Sequence, residues 1–586
     1  MTELPRSIRS ATRLVTRLVV HGTLALTLLS CARETPAPAP TDEVVSTRGV
    51  VVSAHHLASD AGAAALAQGG NAVDAAVATA FALAVTHPSA GNIGGGGFMV
   101  IRLADGTATT IDYRERAPGA STETMYQNRD GSINHAATDS GWKSPGVPGT
   151  VRGLAVAHAK YGKLPWADLV RPAAALAEQG FVLSVALAAE INAQLTGVFA
   201  PFPSSVGAYG KPTGAPWVAG DTLRLPQLAR ALHAIAQDGP EAFYTGWIAD
   251  SIATQMRAHR GLITRADLAA YQAVERAPVR GTFLGHEIIG MGPPSSGGTV
   301  IVEVLGQLEA LGVEGMSRTS ARYLHRRIEA ARRAYLERAR WMGDADFVTI
   351  PLERLLSKTY ATQLASTVDT ARASRSLDLG ADIVTDRGES KETTHFSVVD
   401  GEGNAVANTY TLESSYGSGV VVAGFLLNNE MGDFNKKPGY TNTGWSIGTP
   451  ANEIKPGKRM LSSMSPVIVS RDGALRLVTG SPGGRTIPNT VLDVILGVTA
   501  FNEGIRSAVD APRVHHQWMP DTAYFEAGAA TPEVLQSLRS MGHAVREWPA
   551  RSMGDAHSIV YDAARKESRA ANDHRSPDSK ASAPPP

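Results

Sequence analysis

The stretch Glu389–Leu412, ESKETTHFSVVDGEGNAVANTYTL, decides how the rest of the chain is read. Two strand-like runs, Thr394–Val399 and Ala405–Leu412, flank the Gly-rich turn Asp400–Asn404, which predicts a β-hairpin. Thr393 and Thr394 open the first run, just after the polar stretch Arg387–Glu392. Thr409 and Thr411 stand two apart in the second and so share one strand face. Hydroxyls at one edge of a hairpin are either catalytic groups or ordinary β-propensity, since Thr is a common strand residue. The hairpin alone favours the second.

Upstream, Val50–Ala54 predicts a first strand, and Leu57–Gln68 an Ala-rich helix stopped by Gly69-Gly70. Asn71 caps a second helix, Ala72–Val85, which is apolar nearly all round. It is expected to be buried and is too short to span a membrane. Pro88–Gly97 (PSAGNIGGGG) leads into the strand Phe98–Leu103. A strand follows, and no Gly-Lys-Ser/Thr, so this loop reads as a tight turn that lets backbones approach, not as a phosphate cradle. Arg114 closes the strand Thr107–Tyr113 and is either a surface charge or a carboxylate clamp. Helical segments dominate Val151 to Met256, with Thr264 a predicted N-cap. A buried helix, Thr299–Gly312, follows PPSSGG, and Arg322–Arg340 predicts a long, Arg-rich amphipathic helix.

Downstream of the opening hairpin come FLLNNEMGDF (Phe425–Phe434), a Gly/Pro/Asn-rich loop to Gly457, and KRMLSSMSP (Lys458–Pro466). A second hairpin, Val467–Ser470 and Ala474–Val478, ends in the turn Gly480–Gly484, and a helix from Thr486 to Phe501 follows. Strands and helices are segregated here, which predicts sheets covered by helices in an α+β fold.

Lys+Arg and Asp+Glu both number 55, and no basic tract stands out in the body of the chain, which argues against a nucleic-acid partner. The sixteen His are scattered, with no His-Glu-x-x-His or paired-Cys spacing, so no metal or cofactor is expected. The N-terminus reads as a targeting segment. Arg6, Arg9, Arg13 and Arg17 precede the apolar run Leu18–Leu29, too short to favour a spanning helix. Cys31, the single cysteine, follows Leu28-Leu29-Ser30 and resembles the lipobox of bacterial lipoproteins; a plain signal peptide is the alternative. The lipobox resemblance implies that residues 1–30 are removed and Cys31 is lipidated. Ala32 then points to a periplasmic protein anchored to the outer membrane. Residues 31–45 form a linker with the Pro/Ala spacer Glu34–Asp42, and residues 576–586 are expected to be a disordered tail.

Three distant pieces gain meaning together. A Thr at a strand start is a nucleophile if a base sits beside it. Cleavage before Thr393 would make its own α-amine that base, with a pKa of roughly 7.7–8.0. The Ser481–Gly484 turn exposes backbone N–H groups suited to an oxyanion. Glu430, Asp433 and Arg114 supply opposite charges that can hold an amino-acid zwitterion.

These pieces, with Gln68–Ala76 (QGGNAVDAA), Gly94–Phe98, Tyr113–Pro118, Val147–Gly149, Pro293–Gly298, Leu426–Phe434 and Arg459–Pro466, resemble the γ-glutamyltransferase (glutathione hydrolase) family of N-terminal-nucleophile hydrolases. The resemblance implies a four-layer α/β/β/α sandwich built from two subunits after self-cleavage at Glu392–Thr393. These would be a large subunit, 46–392, and a small catalytic one, 393–575, held as a heterodimer. It implies Thr393 as nucleophile, Thr411 as the hydroxyl bonded to its amine, and Gly483 and Gly484 as the oxyanion pair. It implies Arg114, Ser462 and Ser463 around the substrate α-carboxylate, and Glu413, Glu430 and Asp433 around its α-amine. The implied substrates are γ-glutamyl compounds such as glutathione, with water or an amino acid or dipeptide as acceptor.

Glu413 stands where many relatives have Asn, and Gly432 where an Asp is common. The family's lid falls in Pro438–Asn452, with Tyr440 or Trp445 as its aromatic. A glutaryl or cephalosporin acylase of the same fold is the second reading, and an inactive binding lipoprotein the third. The carboxylates Glu430 and Asp433 favour a substrate with a free α-amine.

Overall fold

The computed structural model describes residues 43–380, 385–386, 393–439, 441–442, 450–548 and 552–585. The chain divides into residues 1–41 and a compact unit from Asp42 to Pro586, which holds all the elements named below. Cys31, Glu392, Tyr440 and Trp445 lie outside the described residues.

Two seven-stranded antiparallel sheets stand at the centre. Six strands frame the site: β1 (Gly49–Ser53), β2 (Gly96–Arg102), β3 (Thr394–Asp400), β4 (Ala405–Thr411), β5 (Val467–Arg471) and β6 (Ala474–Thr479). Five helices cover them: α1 (His56–Ala67), α2 (Ala72–Thr86), α3 (Gly297–Ala310), α4 (Ala321–Trp341) and α5 (Ile487–Thr499). The first sheet runs Lys580–Ser582, β1, β3, β4, β2, Ala108–Asp112, Val274–Arg276. In the second, β5 and β6 lie between His286–Gly290 and Ser558–Asp562. The expected hairpins are thus β3–β4 and β5–β6. Each sheet draws strands from both sides of residue 392.

Side chains alternate across the first sheet, as strand geometry requires. Val51, Met99, Phe396, Val398 and Tyr410 enter a core shared with α1 and α2. Val52, Val100, Val399, Ala405 and Ala407 enter a second core, shared with the other sheet and with α3, α4 and α5. The result is the four-layer α/β/β/α sandwich. Burying one such apolar side chain stabilises by roughly 1.5–3 kcal/mol. A one-residue slip of β3 would exchange its two faces, so the register is strongly specified. That register also decides which face carries Thr393.

The α2 helix is buried along its whole length, as its composition predicts. Asn71 Oδ1 accepts from the Val73 and Asp74 N–H groups, and Asp74 accepts from Asn71 N–H. Asp400, at the end of β3, accepts from Ala72 N–H at 3.0 Å, which ties the helix start to the strand that follows Thr393. Thr264 is the N-cap read from the sequence, and Asp267 completes a capping box with it.

The long Arg-rich helix expected at Arg322–Arg340 is α4, and nearly all its turns are buried, arginines included. Arg327 pairs with Asp493, Arg332 with Asp521 and Glu329, and Arg333 with Glu329. One expectation is corrected, the disordered tail. Lys580–Ser582 is an edge strand paired antiparallel with β1, Ser53 opposite Lys580. Lys580 Nζ and Ser582 Oγ both reach Asp60. Composition misses this because an edge strand is recruited by backbone N–H and C=O groups, which every residue carries.

Candidate active site

Thr393 directly precedes β3 and is buried. Thr394 pairs with Tyr410, so continuing the register sets Thr393 opposite Thr411. Thr393, His395 and Ser397 share the face of β3 that looks at the second sheet, and Thr409 and Thr411 share the matching face of β4. The glycine-rich loop then behaves as read. A β-carbon at Gly95 would lie 2.1 Å from Thr411 O, and one at Gly94 the same distance from Leu426 O. That close approach brings the chain after Thr411 beside the segment carrying Glu430 and Asp433. Glu413 N–H donates to Thr411 Oγ1 at 2.9 Å, and Glu413 adopts a φ of +80°, uncommon outside glycine.

His395, not singled out from the sequence, joins the two sheets. Ser397 Oγ donates to His557 O at 2.8 Å, so it accepts from His395 Nε2–H at 3.0 Å. His395 Nδ1 is then left to accept from Thr409 Oγ–H at 2.8 Å. Burial first, then His557, pushes the imidazole pKa well below its usual value, so the ring is neutral. Its face fills the space over Gly480, where the oxyanion-candidate turn leaves β6. Gly483 has a φ of +127° and Gly484 of +57°, which L side chains rarely adopt. Thr486 N–H donates to Gly483 O at 3.1 Å and closes the turn.

Arg114, Glu430 and Asp433 converge. Arg114 Nη1 pairs with Glu430 Oε1, and Nη2 with Asp433 Oδ2. Arg114 also donates to Met460 O and Leu461 O, at 3.3 and 3.2 Å. Glu115 lies 3.7 Å from Arg114 Nη1, and both its carboxylate oxygens are buried without a hydrogen-bond partner. Burial alone would lower the Arg114 pKa; Glu430, Asp433 and Glu115 outweigh it and hold the guanidinium charged. Burial drives the Glu430 carboxyl well above the carboxylate range, against the pull of Arg114, and pushes Glu115 up to about 8. The pocket therefore has more carboxylate capacity than one guanidinium neutralises.

Ser462 and Ser463 follow the carbonyls that Arg114 grips. Met464 N–H donates to Ser462 Oγ at 3.1 Å, and Arg338 Nη2 donates to Ser463 Oγ at 3.0 Å. Ser296, in the Pro293–Gly298 turn, donates from both N and Oγ to Ser462 O at 2.8 Å. Arg338 and Ser296 escaped the sequence reading. A single arginine on an arginine-rich helix carries no signal that sets it apart from its neighbours.

Among the described residues, His325, Glu329 and His543 bring three ligand-type atoms within 4.8 Å of one another. Hydrogen bonding accounts for them. His325 Nε2–H donates to Asp369 O and His543 Nε2–H to His325 Nδ1, both at 2.8 Å, while Glu329 is paired with Arg332 and Arg333.

Two stacked antiparallel sheets between helix layers, with a threonine at the head of a central strand, define an N-terminal-nucleophile hydrolase. The family model for gamma-glutamyltranspeptidase matches residues 58–583, and the chain belongs to that family. It is 42% identical over 554 residues to the glutathione hydrolase proenzyme of Escherichia coli, covering 93% of this chain and 95% of that one. It is 36% identical over 523 residues to an acylase ACY 1 proenzyme from a Pseudomonas species, covering 88% and 90%. The solved cephalosporin acylase of Bacillus halodurans superposes with a TM-score of 0.81 over 95% of this chain and 100% of that one. At 24% identity this is a likeness of fold.

Proposed function

We propose that the chain is a self-processing γ-glutamyl hydrolase/transferase acting on glutathione and related γ-glutamyl compounds. It cuts its own Glu392–Thr393 bond and leaves Thr393 with a free α-amine. Thr393 Oγ attacks the γ-carbonyl carbon, and the α-amine takes the hydroxyl proton. The oxyanion forms toward the N–H groups of Gly483 and Gly484, each such donor contributing on the order of 3 kcal/mol. The C–N bond breaks, and the α-amine returns the proton to the leaving amine. A γ-glutamyl ester of Thr393 remains. Water or an acceptor amine attacks that ester, and Thr393 Oγ is reprotonated through the same amine. Thr411, fixed by Glu413 N–H, positions the amine.

The observation that carries this reading is the Arg114–Glu430–Asp433 cluster. A bound zwitterion can exchange into it: the α-carboxylate takes Arg114, with Ser462 and Ser463, and the α-ammonium takes Glu430, Asp433 and Glu413. The net charge of the buried site is then unchanged. A glutaryl group brings an anion alone, which would compete with Glu430 and Asp433 for Arg114 and leave carboxylates buried without a cation. This ranks the acylase reading second.

The test compares turnover of γ-glutamyl-p-nitroanilide and glutaryl-p-nitroanilide, with and without glycylglycine. The γ-glutamyl compound should be strongly preferred, and glycylglycine should accelerate release. Preference for the glutaryl compound would establish the acylase reading instead.

Both sheets contain strands from each side of residue 392, which supports large and small subunits that stay together as a heterodimer. The anchor belongs to the same proposal: Cys31 is lipidated and holds the enzyme on the periplasmic side of the outer membrane. The basic and apolar run before that single cysteine supports it. Fractionation of cells making the wild-type protein and Cys31→Ser tests it, since only the wild type should sediment with outer membranes.

A further inference from the structure

Ser463 meets the substrate α-carboxylate in the proposed function, on which this inference rests. A hydroxyl has one proton to donate and two lone pairs that accept. To bind a carboxylate it must present the proton, so its lone pairs should be engaged from behind. Ser462 is arranged this way by Met464 N–H. Ser463 is arranged this way by a side chain from a different layer of the fold. Arg338, on α4, donates from Nη2 to Ser463 Oγ at 3.0 Å and from Nε to Ser296 Oγ at 2.9 Å. Ser296 Oγ donates its own proton to Ser462 O at 2.8 Å. Neither Ser462 nor Ser463 has a hydrogen-bond acceptor for its hydroxyl proton among the described residues.

Arg338 is itself buried, at 3% exposure. One rigid fork therefore braces both serines, Ser463 directly and Ser462 through Ser296. A planar guanidinium can hold two acceptors at fixed separation, which a lysine ammonium on a flexible stem cannot reproduce.

We infer that Arg338 is a positioning residue of the substrate pocket, which fixes Ser463 as a hydrogen-bond donor and so tunes recognition of the α-carboxylate without touching the substrate. Its charge, one side chain behind the pocket, also polarises the Ser463 O–H toward an anion.

The experiment is a double-mutant cycle on the full-length, self-processed enzyme with Arg338→Gln, Ser463→Ala and the pair. Two substrates are used: γ-glutamyl-p-nitroanilide, and 4-aminobutyryl-p-nitroanilide, which keeps the amine and lacks the carboxylate. Each single variant should raise KM for the γ-glutamyl compound roughly tenfold with kcat little changed. Neither should change kcat/KM for the aminobutyryl compound. The double variant should be no worse than the worse single one. Arg338→Lys, which retains charge but not the fork, is the second variant. It is decisive if Arg338→Gln fails to yield the two processed subunits.

If Ser463→Ala raises KM but the Arg338 variants do not, or if the two effects multiply, the inference is overturned and the substrate reading stands. Equal loss of kcat on both substrates in the Arg338 variants would mark a merely structural arginine and also overturn it. If Ser463→Ala leaves KM unchanged, the reading of Ser463 fails first and takes the inference with it.

Discussion

His395 and Gly480 meet across the two sheets so closely that a β-carbon at position 480 would lie 2.3 Å from the imidazole. The ring is also bonded to Thr409 and Ser397, so β3, β4 and the oxyanion-candidate turn are locked at one point. Gly480→Ala must displace the ring and break the Thr409 bond. Overpacking of this kind costs about 1–3 kcal/mol, and kcat should fall with it. Adding His395→Ala should restore much of the lost Tm. A Gly480→Ala protein with wild-type Tm and kcat would show that the contact constrains nothing.

Thr393 is assigned both the maturation cut and turnover. Thr393→Ala should migrate as one full-length band on a denaturing gel and have no measurable γ-glutamyl anilidase activity. Thr393→Ser, which keeps a hydroxyl, should still yield two bands. Cleavage in the Ala variant would remove Thr393 from the reaction.

Arg114 bridges Glu430 and Asp433 with one guanidinium. Arg114→Ala leaves both carboxylates without it, a loss of roughly 3–5 kcal/mol for a broken buried pair. Arg114→Lys keeps the charge but not the bidentate fork, and KM for γ-glutamyl-p-nitroanilide should rise at least tenfold. An unchanged KM in the Lys variant would overturn the clamp.

Glu115 gives a pH dependence with a definite sign. Its carboxyl is raised from 4.5 to about 8 in the folded protein, chiefly by burial, against the pull of Arg114. Between those values the folded state holds a proton that the unfolded state has released, so this group's stabilisation is complete below 4.5 and lost as pH rises through 8. Wild-type Tm should decline over that window more steeply than that of Glu115→Gln, which cannot titrate. Parallel Tm profiles from about pH 5 to about pH 8.5 would contradict this.

The edge strand at the C-terminus should matter for stability and not for chemistry. A chain ending at Ser579 loses the pairing with β1 and both contacts to Asp60. Each such hydrogen bond contributes about 0.5–1.5 kcal/mol, so Tm should drop measurably while KM stays unchanged. An unaltered melting curve would mean that the strand adds nothing.

Much of this protein is written locally. The hairpin around Asp400–Asn404, the buried Ala72–Thr86 helix with its Asn71 cap, and the turn of Gly480–Gly484 follow from periodicity, capping chemistry and glycine placement, all short-range properties of neighbouring residues. Thr393 and Arg114 carry no decisive local signal; only together with Glu430, Asp433 and the Gly483–Gly484 turn, in their order along the chain, do they resemble one family. Other features depend on which distant segments meet. Whether Arg114 is a surface charge or a buried partner of Glu430 depends on a contact 316 residues away in sequence. His395 looks like any strand residue until Gly480 arrives over its ring. Arg338 looks like one arginine among many until α4 is buried and that side chain reaches Ser296 and Ser463. The tail looked unstructured because composition measures apolar content, whereas an edge strand is selected by a free backbone ladder. By itself, then, the sequence determined the two hairpins and the helix caps, because these rest on neighbouring residues. Only the tertiary structure decided which charges are buried together and which hydroxyls Arg338 reaches, because those depend on packing between layers far apart in the chain.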